Sequence, residues 1–169
     1  MNLPVQDTIE RICGFLSDIG IAVRFRPIER ATFLPGIMIE NGTLVVDRDR
    51  LLYPGDLLHE AGHIALETPE RRPLLQDDVE AGKSPGQSVE MAVILWSYAA
   101  LRHLDLAPEI VFHEHGYKGG AQWLLDEFAA GRYLALPLLQ WMGMTFDEST
   151  AAKAGAVPFP AMRCWLRPT

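Results

Sequence analysis

The stretch His59-Glu60-Ala61-Gly62-His63 guides the interpretation of the whole chain. It places two imidazoles four residues apart, with a carboxylate beside the first. In an α-helix four residues advance about 400° and about 6 Å, so both rings leave the same face one turn apart. Two imidazoles arranged in this way can bind one metal ion, and the stretch therefore predicts a helix that carries two ligands.

The residues around this stretch predict a helix that docks on a core by one face. Tyr53-Pro54-Gly55-Asp56 is typical of a helix start, because Pro is tolerated in the first turn and Asp is favourable near the positive end of the helix dipole. Gly62 costs about 1 kcal/mol relative to Ala inside a helix, which indicates a closely packed neighbour. A solvated charged face is the alternative, but one side of the helical wheel, roughly opposite the two histidines, is apolar: Leu57, Leu58, Ala61, Ile64 and Ala65.

Two histidines and a glutamate at this spacing are typical of zinc metallopeptidases. In that interpretation His59 and His63 hold one Zn²⁺, and Glu60 is the general base that takes a proton from a water activated by the metal. Catalytic zinc usually has three protein ligands and an open position. The sequence is therefore expected to supply a third ligand.

Glu90 is the strongest candidate for that third ligand. It follows the first turn of a helix that is otherwise apolar, where an unpaired carboxylate would be costly and a cation would offset the cost. The alternative is a first-turn acid that complements the helix dipole. A third histidine six residues after His63 is excluded, because Pro69 occupies that position. Weaker candidates lie in the polar loop, too near the motif, or in a later segment: Asp78, Glu80, Glu67 and Glu127.

The pattern of the remaining chain predicts an α+β fold in one domain over residues 1–169. Asn41-Gly42, between two β-rich runs, is a strong hairpin signal. We expect a small antiparallel or mixed sheet of two to four strands, packed on about five helices that include the motif helix. The expected segments are a helix over Val5–Leu16, a half-buried strand over Ile21–Ile28, a hairpin within Gly36–Asp47, a polar loop over Glu67–Gly82, a capping box at 84–87 before a buried helix to Leu101, a loop over His113–Gly120, a helix over Ala121–Ala130 and a last short helix over Leu134–Met142.

Composition limits the partners and the compartment. The formal charge of -7 argues against nucleic acid. Asp7 and Glu10 interrupt the N-terminus before an apolar stretch forms, and the longest apolar run, Met91–Leu101, is too short to span a bilayer. We therefore expect a cytoplasmic protein with no membrane partner. Cys13 and Cys164 lie near opposite ends without CxxC spacing, which indicates buried thiols and not zinc ligands.

The hairpin, the motif helix and a glutamate 27 residues beyond the second histidine resemble the gluzincin-type minimal metallopeptidases, in particular the ImmA/IrrE-like family. The resemblance covers roughly Ile37–Leu101. It implies a zincin fold in which His59, His63 and Glu90 bind one zinc ion and Glu60 is the base. A Phe-Ala-Ala run that follows the third ligand in that family occurs here at 128–130, which keeps Glu127 as an alternative to Glu90.

The expected function is hydrolysis of a peptide or protein substrate, which could bind as an added strand along the edge of the hairpin. The alternative is a non-catalytic, zinc-stabilised binding or regulatory module on the same scaffold, and an accidental motif in a helical protein is the third interpretation. His113 and His115 could serve a second metal or lie in a solvated loop. Candidates for stabilising an oxyanion are Tyr98, His113, His115 and Tyr117. Substrate identity and oligomeric state are not encoded in any pattern that we recognise.

Overall fold

An Asn41-Gly42 turn joins two antiparallel strands at the centre of the fold, β2 (Ile37–Glu40) and β3 (Thr43–Val46). Both turn residues have positive φ, 50° and 69°. That combination is the backbone of the tight hairpin turns that match strand twist, and Asn-Gly adopts it at low cost. The computed structural model describes residues 5–76 and 87–169, with the side chains of 87 and 88 excepted, and within those ranges the predicted hairpin is confirmed.

A third strand, β1 (Val23–Phe25), pairs in parallel with β3, so the sheet is mixed and its order is β1-β3-β2. This strand is shorter than the predicted one over Ile21–Ile28. The expected half-buried alternation is wrong at Phe25, which is 42% exposed and lies beneath the Arg48 guanidinium at 4.1 Å. A cation over the ring face compensates part of that exposure.

Six α-helices surround the sheet in the described part of the chain, which confirms the α+β class. They are α1 (Val5–Asp18), α2 (Asp56–Leu66), α3 (Gln87–His103), α4 (Ala121–Ala129), α5 (Leu136–Trp141) and α6 (Glu148–Ala154). The first five correspond to predicted helices. The sixth was not predicted, so the expectation that the helix around Pro137 is the last is wrong. The capping box at 84–87 falls mostly outside the described residues.

The helices α2 and α3 pack closely, and Gly62 shows why. A Cβ built on Gly62 would lie 2.9 Å from Cγ1 of Val93 and 3.4 Å from the ring of Trp96, both on α3. The glycine therefore allows the motif helix to approach its neighbour, as its cost inside a helix indicated. The apolar side of α2 is fully buried in the main core: Leu57, Leu58, Ala61, Ile64 and Ala65.

Pairing of a substrate along the hairpin stays a prediction, and the outer side of β2 is the hairpin edge that the sheet order leaves for it. The strand β3 has a neighbour on each side, so it offers no edge. The outer side of β2 is engaged near the turn, where Glu40 forms a bridge with Gln76 and the Gly42 N–H donates to the Leu75 carbonyl at 3.0 Å. The chain itself occupies this part of the edge, because unpaired strand groups are satisfied by nearby backbone.

The C-terminal segment is hydrogen-bonded to both α2 and α3. The Trp96 indole N–H donates to the Trp165 carbonyl at 3.0 Å, and the Arg167 N–H donates to the Ala65 carbonyl at 2.8 Å. Arg72 donates to the carbonyls of Ile64 and Arg167. These bonds satisfy carbonyls at the end of α2. Across residues 5–76 and 87–169, no helix has both the length and the apolar character needed to cross a bilayer.

Candidate metal centre

The two motif histidines lie on the face of α2 opposite the buried apolar residues. Their side chains are nevertheless only 12% (His59) and 11% (His63) exposed. The Nε2 atoms of the two rings are 3.4 Å apart. The helical spacing therefore places both rings one turn apart and aims the same nitrogen of each at one point, as predicted.

Glu90 lies in the first turn of α3 and completes a triangle with the histidines. Its Oε1 is 3.2 Å from Nε2 of His59 and its Oε2 is 3.6 Å from Nε2 of His63. This carboxylate is 37% exposed. The packing of α2 on α3 at Gly62 positions the acid of one helix opposite the imidazoles of the other. The three side chains form a group that could hold a metal ion.

The alternatives for the third ligand do not join this group within the described residues. Glu127 forms a two-point ion pair with Arg132, at 2.6 and 2.9 Å, and the bonded guanidinium lowers the pKa of the Glu127 carboxyl. Glu67 pairs with Arg71 at 3.2 Å. Asp78 and Glu80 lie outside the described residues. Glu90 is the candidate that the structure brings to the histidines.

The protonation of the triad is interdependent when no metal is bound. Burial opposes protonation of His59, but the hydrogen bond to Glu90 and the charges of Glu60, Glu90 and Asp56 outweigh it and raise the pKa of His59. Burial and the charge of His59 lower the pKa of His63 to about 4. Burial would raise the pKa of the Glu90 carboxyl, but hydrogen bonding to His59 lowers it. The negative charge of Glu90 therefore favours protonation of His59. Repulsion between two adjacent cations then disfavours protonation of His63.

Glu60 is buried beside this group, with 6% of its surface exposed. Its charge acts on His59 and on Tyr117, which places the carboxylate within electrostatic range of both. A carboxylate beside the two imidazoles is a group of the kind that acts as a general base on a neighbouring water.

His113 and His115 do not converge on one point, and for His113 the solvated-loop interpretation is wrong. The His113 side chain is 11% exposed, its Nε2 lies 3.0 Å from Oδ1 of Asp56, and its ring stacks on Tyr53 at 3.8 Å. His115 is 65% exposed and lies beside Glu114. The proposed second metal site from this pair is therefore not formed.

Asp56 is a second buried acid near this site. The sequence indicated only that it would interact favourably with the helix dipole. Burial raises the pKa of the Asp56 carboxyl, and His113 opposes that shift. The residue lies three positions before His59 and four before Glu60, so one turn of helix brings it alongside both. That spacing is visible in the sequence, but its partner, 57 residues further on, is not.

Two tyrosines named as oxyanion candidates occupy different environments. The Tyr98 hydroxyl accepts a hydrogen bond from Arg102 at 3.2 Å, and its ring lies 4.6 Å from that of Phe128 in an aromatic cluster. Tyr117 lies edge-on to His59, with ring centroids 5.8 Å apart. Burial, followed by the charges of Asp56, Glu90 and Glu60, raises the pKa of the Tyr117 hydroxyl, which stays protonated.

A cleft of about 460 Å³ adjoins the loop that follows α3. Apolar, polar and acidic residues line it: Glu109, Phe112, His113, Glu114, Gly119, Ala121, Gln122 and Leu125. None of the three triad residues lines it, so this cleft is a separate feature.

Cys13 and Cys164 are free, partly buried thiols, and burial raises the pKa of each.

Comparison with known proteins gave no match: no family model, no curated protein and no solved structure matches this chain.

Proposed function

We propose that the protein is a zinc-dependent peptide hydrolase with a zincin-like fold of the minimal gluzincin type. One observation carries the proposal. The Nε2 atoms of His59 and His63 are 3.4 Å apart, and the two carboxylate oxygens of Glu90 lie 3.2 Å from the first and 3.6 Å from the second. The buried Glu60 lies on the same helix as the two imidazoles.

Zinc is the metal that this donor set fits best. Tetrahedral Zn²⁺ with bonds of about 2.0–2.2 Å requires ligand atoms about 3.3–3.6 Å apart. The two Nε2 atoms are 3.4 Å apart, and each lies 3.2 or 3.6 Å from one oxygen of Glu90. Octahedral Mg²⁺ would require adjacent ligands about 2.9 Å apart and prefers oxygen donors throughout. Two imidazole nitrogens and one carboxylate oxygen favour a metal of intermediate softness.

The number of ligands supports a catalytic role over a structural one. Structural zinc sites are closed by four protein ligands, whereas catalytic sites have three and leave one position open. The group within the described residues has three members, and the Glu90 carboxylate is more than one-third exposed. A substrate can thus approach from the side of Glu90.

Bound zinc would supply a Lewis acid that lowers the pKa of a water molecule and polarises a peptide carbonyl. His59 and His63 would hold the metal through Nε2, which requires the proton of each ring to be on Nδ1. Glu60 would accept a proton from the attacking water and later deliver it to the leaving nitrogen. Glu60 is turned about 100° around α2 from His59. Its carboxylate would therefore lie beside the ligands without being one of them.

The test is hydrolysis of a mixed peptide library by the zinc-loaded protein. We expect cleavage that a chelator abolishes and that added Zn²⁺ restores, with cleavage products identified by mass spectrometry. A protein that binds zinc and cleaves nothing in a broad library would contradict the proposal. It would instead favour the alternative, a zinc-stabilised binding or regulatory module.

A further inference from the structure

The loop that follows α3 lies against the end of α2 that carries the candidate ligands. Gly55 caps α2, and a Cβ added there would overlap the backbone of Ile110 and Val111. Two residues after Val111, His113 lies 3.0 Å from Asp56 of α2 and stacks on Tyr53. These contacts fix the start of the loop over residues 113–120 beside the triad.

Tyr117 projects from this loop to the ligand His59. The two rings meet edge to face, with centroids 5.8 Å apart and planes at 76°. Phe112 supports the tyrosine ring from the loop side at 5.3 Å. The Tyr117 hydroxyl makes no hydrogen bond to any residue that the structure describes, whereas that of Tyr98 is bonded to Arg102. A phenol held at the metal centre by its ring is thus left with its donor unused.

The backbone at Tyr117 is unusual for a residue with a side chain. Tyr117 and Lys118 both have positive φ, 55° and 54°, a conformation that L-residues other than glycine seldom adopt. Glycine adopts this conformation without strain and occurs on either side, at Gly116 and Gly119. The left-handed position itself is nevertheless occupied by a tyrosine. Such conformations persist where the surrounding structure imposes them, and they cluster at functional sites.

We propose that Tyr117 is a catalytic residue that donates its hydroxyl hydrogen bond to the carbonyl oxygen of the peptide bond being cleaved. This inference rests on the proposed function. The ring contact with His59 places the phenol beside a candidate ligand, where a substrate carbonyl must come to react. The O–H has no hydrogen-bond partner among residues 5–76 and 87–169 and can donate to that carbonyl.

The proposed hydrolysis does not require Tyr117 to give up its proton. A water oxygen bonds to the carbonyl carbon while Glu60 takes a proton from that water, and negative charge develops on the carbonyl oxygen. Tyr117 stabilises this charge through its hydrogen bond and keeps its proton. The C–N bond then breaks, and the proton held by Glu60 passes to the departing nitrogen. Loss of one such donor typically lowers kcat by about 10²–10³-fold.

The test compares Tyr117→Phe with Tyr98→Phe, each of which removes one hydroxyl and keeps the ring. We expect Tyr117→Phe to keep the zinc content and KM of the wild type and to lower kcat about 100-fold. We expect Tyr98→Phe to leave kcat unchanged. A phosphinic peptide, which presents tetrahedral anionic oxygens in place of the carbonyl, serves as the second probe, and Tyr117→Phe should bind it at least about 10-fold more weakly by calorimetry.

The possible outcomes separate this inference from the function on which it rests. If the wild type cleaves peptides in a chelator-sensitive way and Tyr117→Phe matches it in kcat and in phosphinic-peptide affinity, the Tyr117 assignment is wrong and the proposed function stands. If both tyrosine variants lose activity equally, the effect is structural and the assignment is again wrong. If zinc-loaded wild type neither cleaves peptides nor binds the phosphinic peptide, the proposed function fails and the inference fails with it.

Discussion

At the scale of single residues, the site consists of groups that would be unfavourable without a partner. Two imidazoles with nitrogens 3.4 Å apart cannot both be protonated at low cost, and Glu90 compensates for only one proton. A divalent cation would satisfy all three side chains at once. The neighbouring Glu60 is buried and does not belong to the triad, as the proposed general base should be distinct from the proposed ligands.

The first prediction tests that separation. Glu60→Gln keeps the size and the hydrogen-bonding capacity of the side chain but removes the proton acceptor. We expect the variant to retain fold and zinc content and to lose about 10²-fold or more in kcat. Glu67→Gln, at the other end of the same helix, is the matched control and should keep full activity. An active wild type whose Glu60→Gln variant is equally fast would contradict the general-base role.

At the scale of elements, the site depends on how closely α2 and α3 approach. Gly62 leaves room for Val93, whose branched side chain has little rotamer freedom in a helix. Gly14, in the exposed middle of α1, has no neighbour within 4 Å of a built Cβ. The same substitution should therefore have opposite effects at these two glycines.

The second prediction is that Gly14→Ala stabilises the protein and Gly62→Ala destabilises it. Alanine gains about 1 kcal/mol of helix propensity at either position. At Gly62 overpacking against α3 costs about 1–3 kcal/mol and exceeds that gain. Denaturant unfolding of the metal-free variants measures both values. An equal gain in stability for the two variants would show that α2 and α3 are less tightly packed than described.

The helix that sequence reasoning missed provides a pH test. Asp147 caps α6, where its side chain accepts a hydrogen bond from the Thr150 N–H at 2.7 Å, and that bond lowers the pKa of the carboxyl. A lowered folded-state pKa contributes stability above the unfolded value, near 4, and this contribution is lost as pH falls through the folded pKa.

The third prediction follows from that sign. Asp147→Asn preserves a good capping side chain without the titration. The wild type should be the more stable of the two at pH 7, and the difference in free energy of unfolding should shrink as pH falls below about 4. Urea unfolding of both proteins at a series of pH values measures this. A difference that stays constant or grows on acidification would contradict the assigned cap.

Local patterns were sufficient to predict the elements that form the ligand triad. Helical spacing aligned His59 with His63, and the Asn-Gly pair placed the hairpin, because both signals act over a few residues. A lone acid in an otherwise apolar helix indicated Glu90, although its carboxylate is 37% exposed and not buried as that reasoning assumed. The contact between Asp56 and His113 and the position of Tyr117 beside His59 could not be predicted, because they depend on how a loop 57 residues further along the chain folds back. Short helix α6 was missed because seven residues show little periodicity.

At the scale of the whole molecule, the two helices of the site are fixed independently of any metal. Gly62 packing joins them on one side. On the other, the C-terminal segment bonds to both, through Trp165 to α3 and through Arg167 to α2. The metal-free protein should therefore fold, and a metal that binds the folded state alone should add to its stability.

The fourth prediction is a rise in the unfolding temperature on addition of Zn²⁺ to the metal-free protein. Free zinc at 100 times its Kd stabilises the folded state by about 2.7 kcal/mol, which corresponds to roughly 5–10 °C in a chain of this size. Magnesium at the same concentration should leave the unfolding temperature unchanged, because it favours oxygen ligands. An equal shift with both metals would indicate nonspecific binding to the acidic surface.

The central claim is that His59, His63 and Glu90 together bind one zinc ion, and a zinc titration of Glu90→Ala tests it most directly. Glu127→Ala is the matched control, since Glu127 pairs with Arg132 instead of the histidines. Calorimetry should give one site per chain in the wild type and in Glu127→Ala, and at least about 100-fold weaker binding in Glu90→Ala. Wild-type affinity in Glu90→Ala, with loss of binding in Glu127→Ala or Glu80→Ala, would contradict the account.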